Sequence, residues 1–154
     1  MGEAVISKTE EYALRAAVHL AQRYEEGPCR AQDIAGGSHI PANYLSKILH
    51  RLAHAGIVTS ERGRYGGFRL ARRPSELTLA DVMEPFGSLS ERGRCLLGRP
   101  ECSDLNPCGA HWRWKRVKAA TLAFFRETTL ADVVRPGAED PGQDLAAHTV
   151  SGGS

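Results

Sequence analysis

Residues 41–70 read PANYLSKILHRLAHAGIVTSERGRYGGFRL, and a change of period inside this stretch decides the fold. Pro41 suits the first turn of a helix. Leu45, Ile48, Leu49 and Leu52 then follow the i, i+3, i+4, i+7 rhythm of one buried helical face, and Gly56 supplies the left-handed position that ends such a helix. Beyond it the period becomes two. Ile57-Val58-Thr59-Ser60 reads as a strand, Arg62 to Gly67 as a turn, and Phe68-Arg69-Leu70 as the returning strand. Upstream, a short helix over Ala31 to Ala35 ends at Gly36-Gly37. Two helices joined by a glycine-bearing turn give a helix-turn-helix, and the hairpin is its wing.

The outer face of the Pro41 helix carries Asn43, Lys47, His50, Arg51 and His54 at i, i+4, i+7, i+8 and i+11. All five donate hydrogen bonds and none is acidic. Such side chains read base edges and clamp phosphates when a recognition helix enters the major groove of double-stranded DNA, whereas a merely solvated face mixes signs. Tyr44 is assigned to helix packing or to a phosphate. At the wing, Arg62 and Arg64 reach phosphates or a narrow minor groove, and Gly66 and Gly67 let the backbone approach a duplex closely. A phosphate-binding loop is the rival reading, but the GK[ST] ending is missing and no helix follows. The overall charge of +2 hides an asymmetry: from His39 to Ser75, Lys47, Arg51, Arg62, Arg64, Arg69, Arg72 and Arg73 stand against Glu61 alone, a phosphate-binding footprint.

Around this head, Ser7-x-x-Glu10 forms a capping box. It opens a helix whose Ala13, Ala16, Ala17, Leu20, Ala21 and Tyr24 face inward and which Gly27-Pro28 stops. Thr78-x-x-Asp81 caps a short helix reaching Glu84-Pro85. The same pentapeptide, Thr-Leu-Ala-Asp-Val, recurs at Thr129 to Val133, which capping chemistry explains without a true repeat. Asn106-Pro107 opens a long helix to about Glu127, with a stripe of Ala110, Trp114, Val117, Thr121, Phe124 and Phe125. One small head cannot cover that stripe, so an antiparallel partner helix in a homodimer is expected, matching a palindromic operator.

The expected fold is therefore mainly α with a small β-hairpin wing. A winged helix-turn-helix DNA-binding domain spans residues 1–75, a cluster-binding loop and dimerisation helix 76–134, and a disordered tail 135–154. No apolar run approaches the roughly 20 residues that span a bilayer, and no signal peptide is evident, which places the protein in the cytoplasm. No nucleophile and base stand at a spacing that implies catalysis, so no enzyme is expected.

Three cysteines and a histidine fall at Cys95-x6-Cys102-x5-Cys108-x2-His111. In a reducing compartment such cysteines are ligands or sensors rather than disulfides; Cys29 stands apart and is assigned a structural part. Thiolates bind zinc or iron–sulfur centres. Zinc sites favour pairs two to four residues apart, and the longer loop spacing suits an iron–sulfur cluster better. The alternatives are unliganded reduced thiols, a zinc-stabilised module, a cluster-free adaptor that uses the head for protein contacts and, for His111, a solvated cap in a first helical turn.

Taken together, Glu11-Tyr12-Ala13-Leu14-Arg15, Ile40-Pro41-x-x-Tyr44-Leu45, Arg62-Gly-x-x-Gly66-Gly67-Phe68-Arg69-Leu70-Ala71 and Leu79-Ala80-Asp81-Val82, with the three cysteines and Thr129 to Val133, resemble the Rrf-type winged-helix transcriptional regulators. The resemblance covers nearly all of Ile6 to Val134. That family includes IscR-like and NsrR-like iron–sulfur repressors. It implies a homodimer on DNA and a cluster held by Cys95, Cys102 and Cys108, sensing cluster supply, nitric oxide or redox state. Members differ in the fourth ligand. His111 sits where IscR-like members place a histidine, implying a 2Fe-2S centre. Glu11 falls where NsrR-like members place a carboxylate reaching across from the other subunit, more often with a 4Fe-4S centre. Imidazole is the commoner ligand, which favours His111. A first-turn charge at a helix N-terminus also accounts for Glu11. The gap of six residues between Cys95 and Cys102 is one longer than typical of IscR-like members.

Overall fold

Ser7 opens α1 (Lys8–Gln22): its hydroxyl accepts from the Glu10 amide at 3.2 Å, and the Glu10 carboxylate accepts from the Ser7 amide at 2.7 Å. The computed structural model describes residues 5–87, 89, 95–100 and 102–137; most of the expected disordered tail, from residue 138 onward, lies outside the described residues. Ala13, Ala16, Ala17, Leu20 and Ala21 are buried along α1. The helix ends earlier than the Gly27-Pro28 signal predicts. It passes at Arg23 into a tight turn of 3-10 geometry over Tyr24–Glu26, and Gly27 follows with φ 96°. Such tightening is common at helix ends, and it leaves Tyr24 half-buried beneath the Arg69 guanidinium, 5.9 Å from the ring centre.

α2 (Ala31–Ser38) departs further from expectation, because it runs through Gly36-Gly37 instead of stopping there. The left-handed residue that ends it is His39, with φ 56°. Gly37 belongs inside the helix because His19 of α1 packs against it so closely that a Cβ would collide with the imidazole. His19 is buried, and its Nε2 is the one buried side-chain polar atom without a partner among the described residues. Burial, aided by the Arg23 charge, pushes the pKa of this imidazole down, so it stays neutral.

α3 (Ala42–His54) behaves as its pattern predicts. Leu45, Ile48, Leu49 and Leu52 are all buried, each stabilising the fold by about 1.5–3 kcal/mol before entropy is counted. Gly56 takes the left-handed conformation, φ 77°. β1 (Val58–Glu61) pairs antiparallel with β2 (Gly67–Leu70) in the register Val58 with Leu70 and Glu61 with Gly67. Phe68 also exchanges both backbone hydrogen bonds with Cys29, each 2.8 Å, so the wing is tied to the approach to α2. Cys29 is thereby a structural residue, as expected.

After a single turn at Pro74–Glu76 come α4 (Leu79–Met83), α5 (His111–Glu127) and α6 (Leu130–Val134). α5 begins later than the Asn106-Pro107 signal predicts. The chain turns through residues 103–110, and the His111 amide caps back on the Cys108 carbonyl at 3.0 Å, so Cys108 precedes the helix. The two Thr-Leu-Ala-Asp-Val copies each form a capping box, and they also pair with one another. Leu79 N–H donates to Thr128 and Leu130 N–H to Leu77, both at 2.9 Å. The buried core is continuous from Ile34, Leu49 and Leu70 to Leu77, Phe125 and Leu130, so it crosses position 75 without a break. On α5, Phe125 is buried while Trp112, Val117 and Phe124 remain more than half exposed.

A Cβ at Gly66 would overlap the Glu61 carbonyl, and one at Gly67 the Cys29 carbonyl. These glycines are required by the hairpin and its tie to Cys29 before any duplex is considered. Gly66→Ala and Gly67→Ala should therefore each destabilise the isolated protein by roughly 1–3 kcal/mol in a thermal or urea melt without DNA. Melts within about 0.5 kcal/mol of wild type would return both positions to the DNA-contact reading alone.

Candidate functional site

Two regions carry the functional side chains. The first is the outer surface of α3 with the wing. The buried leucines fix the roll of α3, so Asn43, Lys47, His50 and His54 stand opposite them, all exposed. Tyr44 and Arg51 lie on the flank of that face. The Tyr44 ring meets Tyr12 of α1 edge to face, with centroids 5.8 Å apart, and the Arg51 guanidinium lies 5.8 Å from the ring centre of Phe86. Together Thr9, Tyr44, Lys47, His50, Arg51 and Phe86 border an open hollow of about 530 Å³. Tyr44 thus has the packing half of its expected part, with half of its surface free.

At the wing tip Arg62 and Arg64 are exposed. The Arg30 guanidinium, just before α2, donates to the Arg64 carbonyl at 3.1 Å and holds the tip over the helix-turn-helix. Arg69 is spent elsewhere, paired with Glu61 at 3.8 Å. Two residues escaped the sequence reading. Tyr65 is 83% exposed at the tip, and Arg30 ties the wing to α2. The aromatic between arginines was a signal for the first; nothing local marks the second.

The second region is the cysteine segment. Cys102 Sγ lies 3.3 Å from His111 Nδ1, and Cys102 adds a small part to the lowering of the Cys95 thiol pKa. Two of the expected ligands are therefore in contact, with Cys95 near them. Cys108 stands one turn before His111, half-buried. No group of three or more such side chains is closed to metal-binding distance among the described residues. His111 is not a solvated cap: it is 3% exposed, and its Nε2 is 2.7 Å from an Asp104 oxygen. Asp104 was not predicted, since a lone acid in an aperiodic loop carries no signal. Glu11 is half-buried in the first turn of α1, paired with Arg15 and, at 3.4 Å, with Lys8, as a first-turn charge would be.

The electrostatics separate the thiols. The backbone amides of Arg99 and Leu97 hold the Cys95 thiol below its ordinary pKa, which favours the thiolate a metal needs. Burial pushes the Cys29 thiol up. The soft-donor group and a fold that presents a basic helix together define a winged-helix transcriptional regulator. No helix among the described residues is long and apolar enough to cross a membrane.

Comparison with known proteins agrees. Residues 6–136 match the profile of the Rrf2 family, described as iron-dependent transcriptional regulators, and the chain belongs to that family. It is 36% identical over 132 residues to an HTH-type transcriptional regulator of Aquifex aeolicus, covering 84% of this chain and 91% of that protein. Among solved structures it is similar to CymR, the global cysteine regulator of B. subtilis (28% identity, TM-score 0.71, 86% of this chain and 96% of that one). IscR of T. potens is also similar (25% identity, TM-score 0.69, 99% and 96%).

In metal-free protein, the alkylation rate of Cys95 should reach half its plateau at a lower pH than that of a free thiol, and Cys29 at a higher one. Peptide mass spectrometry across pH measures both. Coincident profiles would show that the Leu97 and Arg99 amides do not stabilise a thiolate.

Proposed function

We propose that this regulator is a homodimeric repressor that binds a palindromic operator through α3 and the wing. In this reading its DNA affinity is set by an iron–sulfur cluster, a 2Fe-2S centre, on Cys95, Cys102, Cys108 and His111. The observation that carries the metal half is the contact of Cys102 Sγ with His111 Nδ1, 3.3 Å apart, beside the buried Cys95. Two soft thiolates and an imidazole suit such a centre. Cys108 supplies the remaining thiolate from the turn that leads into α5. The positive N-terminus of that helix favours the negative charge that thiolates bring. When bound, the cluster supplies a centre reactive towards nitric oxide and oxidants. The chain's own part is to gather the thiolates, keep His111 out of water and tie the segment to α5.

The residues proposed to meet DNA are Asn43, Tyr44, Lys47, His50 and Arg51 on α3 with Arg62 and Arg64 on the wing. Gly66 and Gly67 act there by shaping the hairpin. Residues 1–75 serve as the DNA-binding head, and 76–134 hold the cluster and the dimer interface. The exposed Trp112, Val117 and Phe124 are the surface that a second α5 would cover. A second reading, a cluster-free thiol regulator, is favoured by the lowered pKa of the Cys95 thiol and by the likeness to CymR. Glu11 of the other subunit is the rival fourth ligand to His111, and a 4Fe-4S centre would go with it.

Anaerobic purification with visible absorption and iron and sulfide analysis decides among these. Wild type and Glu11→Ala should be coloured and carry iron and sulfide, while His111→Ala loses or shifts the absorption. Bleaching by Glu11→Ala instead would transfer the fourth position to that carboxylate. Colourless wild type after reconstitution would leave the thiol reading.

For DNA, Lys47→Ala and Arg51→Ala should each reduce the slope of log affinity against log salt by about 1.8, the contribution of two phosphate contacts, one from each subunit of the proposed dimer. Unchanged slopes in both variants would remove this face from the interface.

A further inference from the structure

The cysteine segment contains a carboxylate that the proposed ligand set does not use. Asp104 lies on the turn between Cys102 and Cys108, with its side chain about half exposed, and each of its oxygens has one partner. Oδ1 is 2.7 Å from His111 Nε2, and Oδ2 accepts from Lys115 Nζ at 2.6 Å. Lys115 is one helical turn beyond His111, so the carboxylate bridges two successive positions on one side of α5. Trp112 closes another side of the imidazole, edge-on with centroids 4.8 Å apart, and Lys115 stacks over Trp112 at 5.3 Å.

A neutral imidazole has one nitrogen that donates and one that accepts, and an ionised carboxylate only accepts. Asp104 Oδ2 accepts from the Lys115 ammonium at 2.6 Å, and Oδ1 lies 2.7 Å from Nε2; a carboxylate only accepts, so Nε2 carries the hydrogen. The lone pair of Nδ1 is left facing Cys102 Sγ. We propose that Asp104 is a positioning residue: it fixes His111 in the Nε2–H tautomer and presents Nδ1 to the thiol group. For the neutral imidazole the tautomer follows from the contacts; its use in metal binding rests on His111 being the fourth ligand. Outer partners of this kind orient ligating histidines in metal sites generally.

The test begins with metal-free protein labelled with nitrogen-15 at histidine and read by long-range proton–nitrogen correlation. Wild-type His111 should show a protonated Nε2 and a bare Nδ1. Asp104→Ala should lose this single-tautomer pattern, Asp104→Glu should restore it, and Lys115→Gln should leave it intact. In iron-loaded protein, Asp104→Ala should weaken metal retention against a chelator by roughly 10–100-fold, with Lys115→Gln close to wild type. A wild-type spectrum with the hydrogen on Nδ1, or an unchanged pattern in Asp104→Ala, would overturn the proposal. Equal loss in Lys115→Gln and Asp104→Ala would reduce Asp104 to a loop pin and overturn it too. If wild type holds no iron or sulfide, the cluster reading fails while the metal-free spectrum still decides the tautomer.

Discussion

The alanine face of α1 is the constraint on which the rest of the molecule depends. Ala13, Ala16 and Ala17 are fully buried, and α2, α3, α4, α6 and β2 all pack against this one helix. Side chains of a single carbon let several backbones approach it at once, and protein interiors are dense enough that even an added methylene is felt. The angle between α2 and α3, which makes the helix-turn-helix, and the seat of α4 and α6, which anchor the long helix, are thus set on the same surface. Glu10 adds to this. Its carboxylate is buried because it closes the capping box at Ser7, and a Cβ at Gly87 would stand 3.1 Å from its Oε1. The start of α1 and the exit towards the cysteine segment are therefore in contact.

The sequence was most legible where a local rule and the tertiary structure agree. α3 has four apolar residues on one face, a breaker at its end and a hairpin behind it, and each of these survives folding, although the strands bury Val58 and Leu70 rather than alternate residues. α2 was misread because two glycines in succession look like a stop. A glycine inside a helix costs about 1 kcal/mol relative to alanine, but Gly37 is the position where His19 needs room, and packing outweighs propensity. His39 then takes the left-handed place, which histidine adopts more readily than most residues. The start of α5 was misread for the opposite reason. Asn106-Pro107 is a fair opening signal, yet Asp104 and Cys102 hold the turn against His111 and delay the helix until those contacts are made.

The candidate sites divide along the same line. Residues on the outer face of α3 were readable because a helix converts spacing directly into a shared face, and all of them are exposed. Gly66 and Gly67 were readable as special positions, but their reason was not, since the carbonyl of Cys29 that crowds Gly67 comes from 38 residues away in sequence. The cysteine spacing pointed to a soft-donor site without saying which donors meet. That depends on a loop with no periodicity, and the partner that orients His111 is an acid whose neighbours in sequence give no hint of it.

The repeated Thr-Leu-Ala-Asp-Val carries more than capping. Because Leu79 and Leu130 donate across the pair Thr78 and Thr129, everything between them, the cysteine segment and α5 included, is an excursion whose two ends are bonded together. A rearrangement within that excursion is not passed to the head by pulling on its ends. It has to act through side-chain contacts along the way or through the geometry of α5. Contacts on the first route include Phe86 with Arg51 on the flank of α3 and Gly87 with Glu10 of α1. The second route, in the proposed homodimer, runs through the exposed face of α5 to a second subunit. A ligand at the cysteines shifts the regulator only by its difference in affinity for two arrangements. With the ends bonded and the core continuous, those arrangements would differ, in the proposed homodimer, more readily in how two heads are spaced than in whether either head is folded.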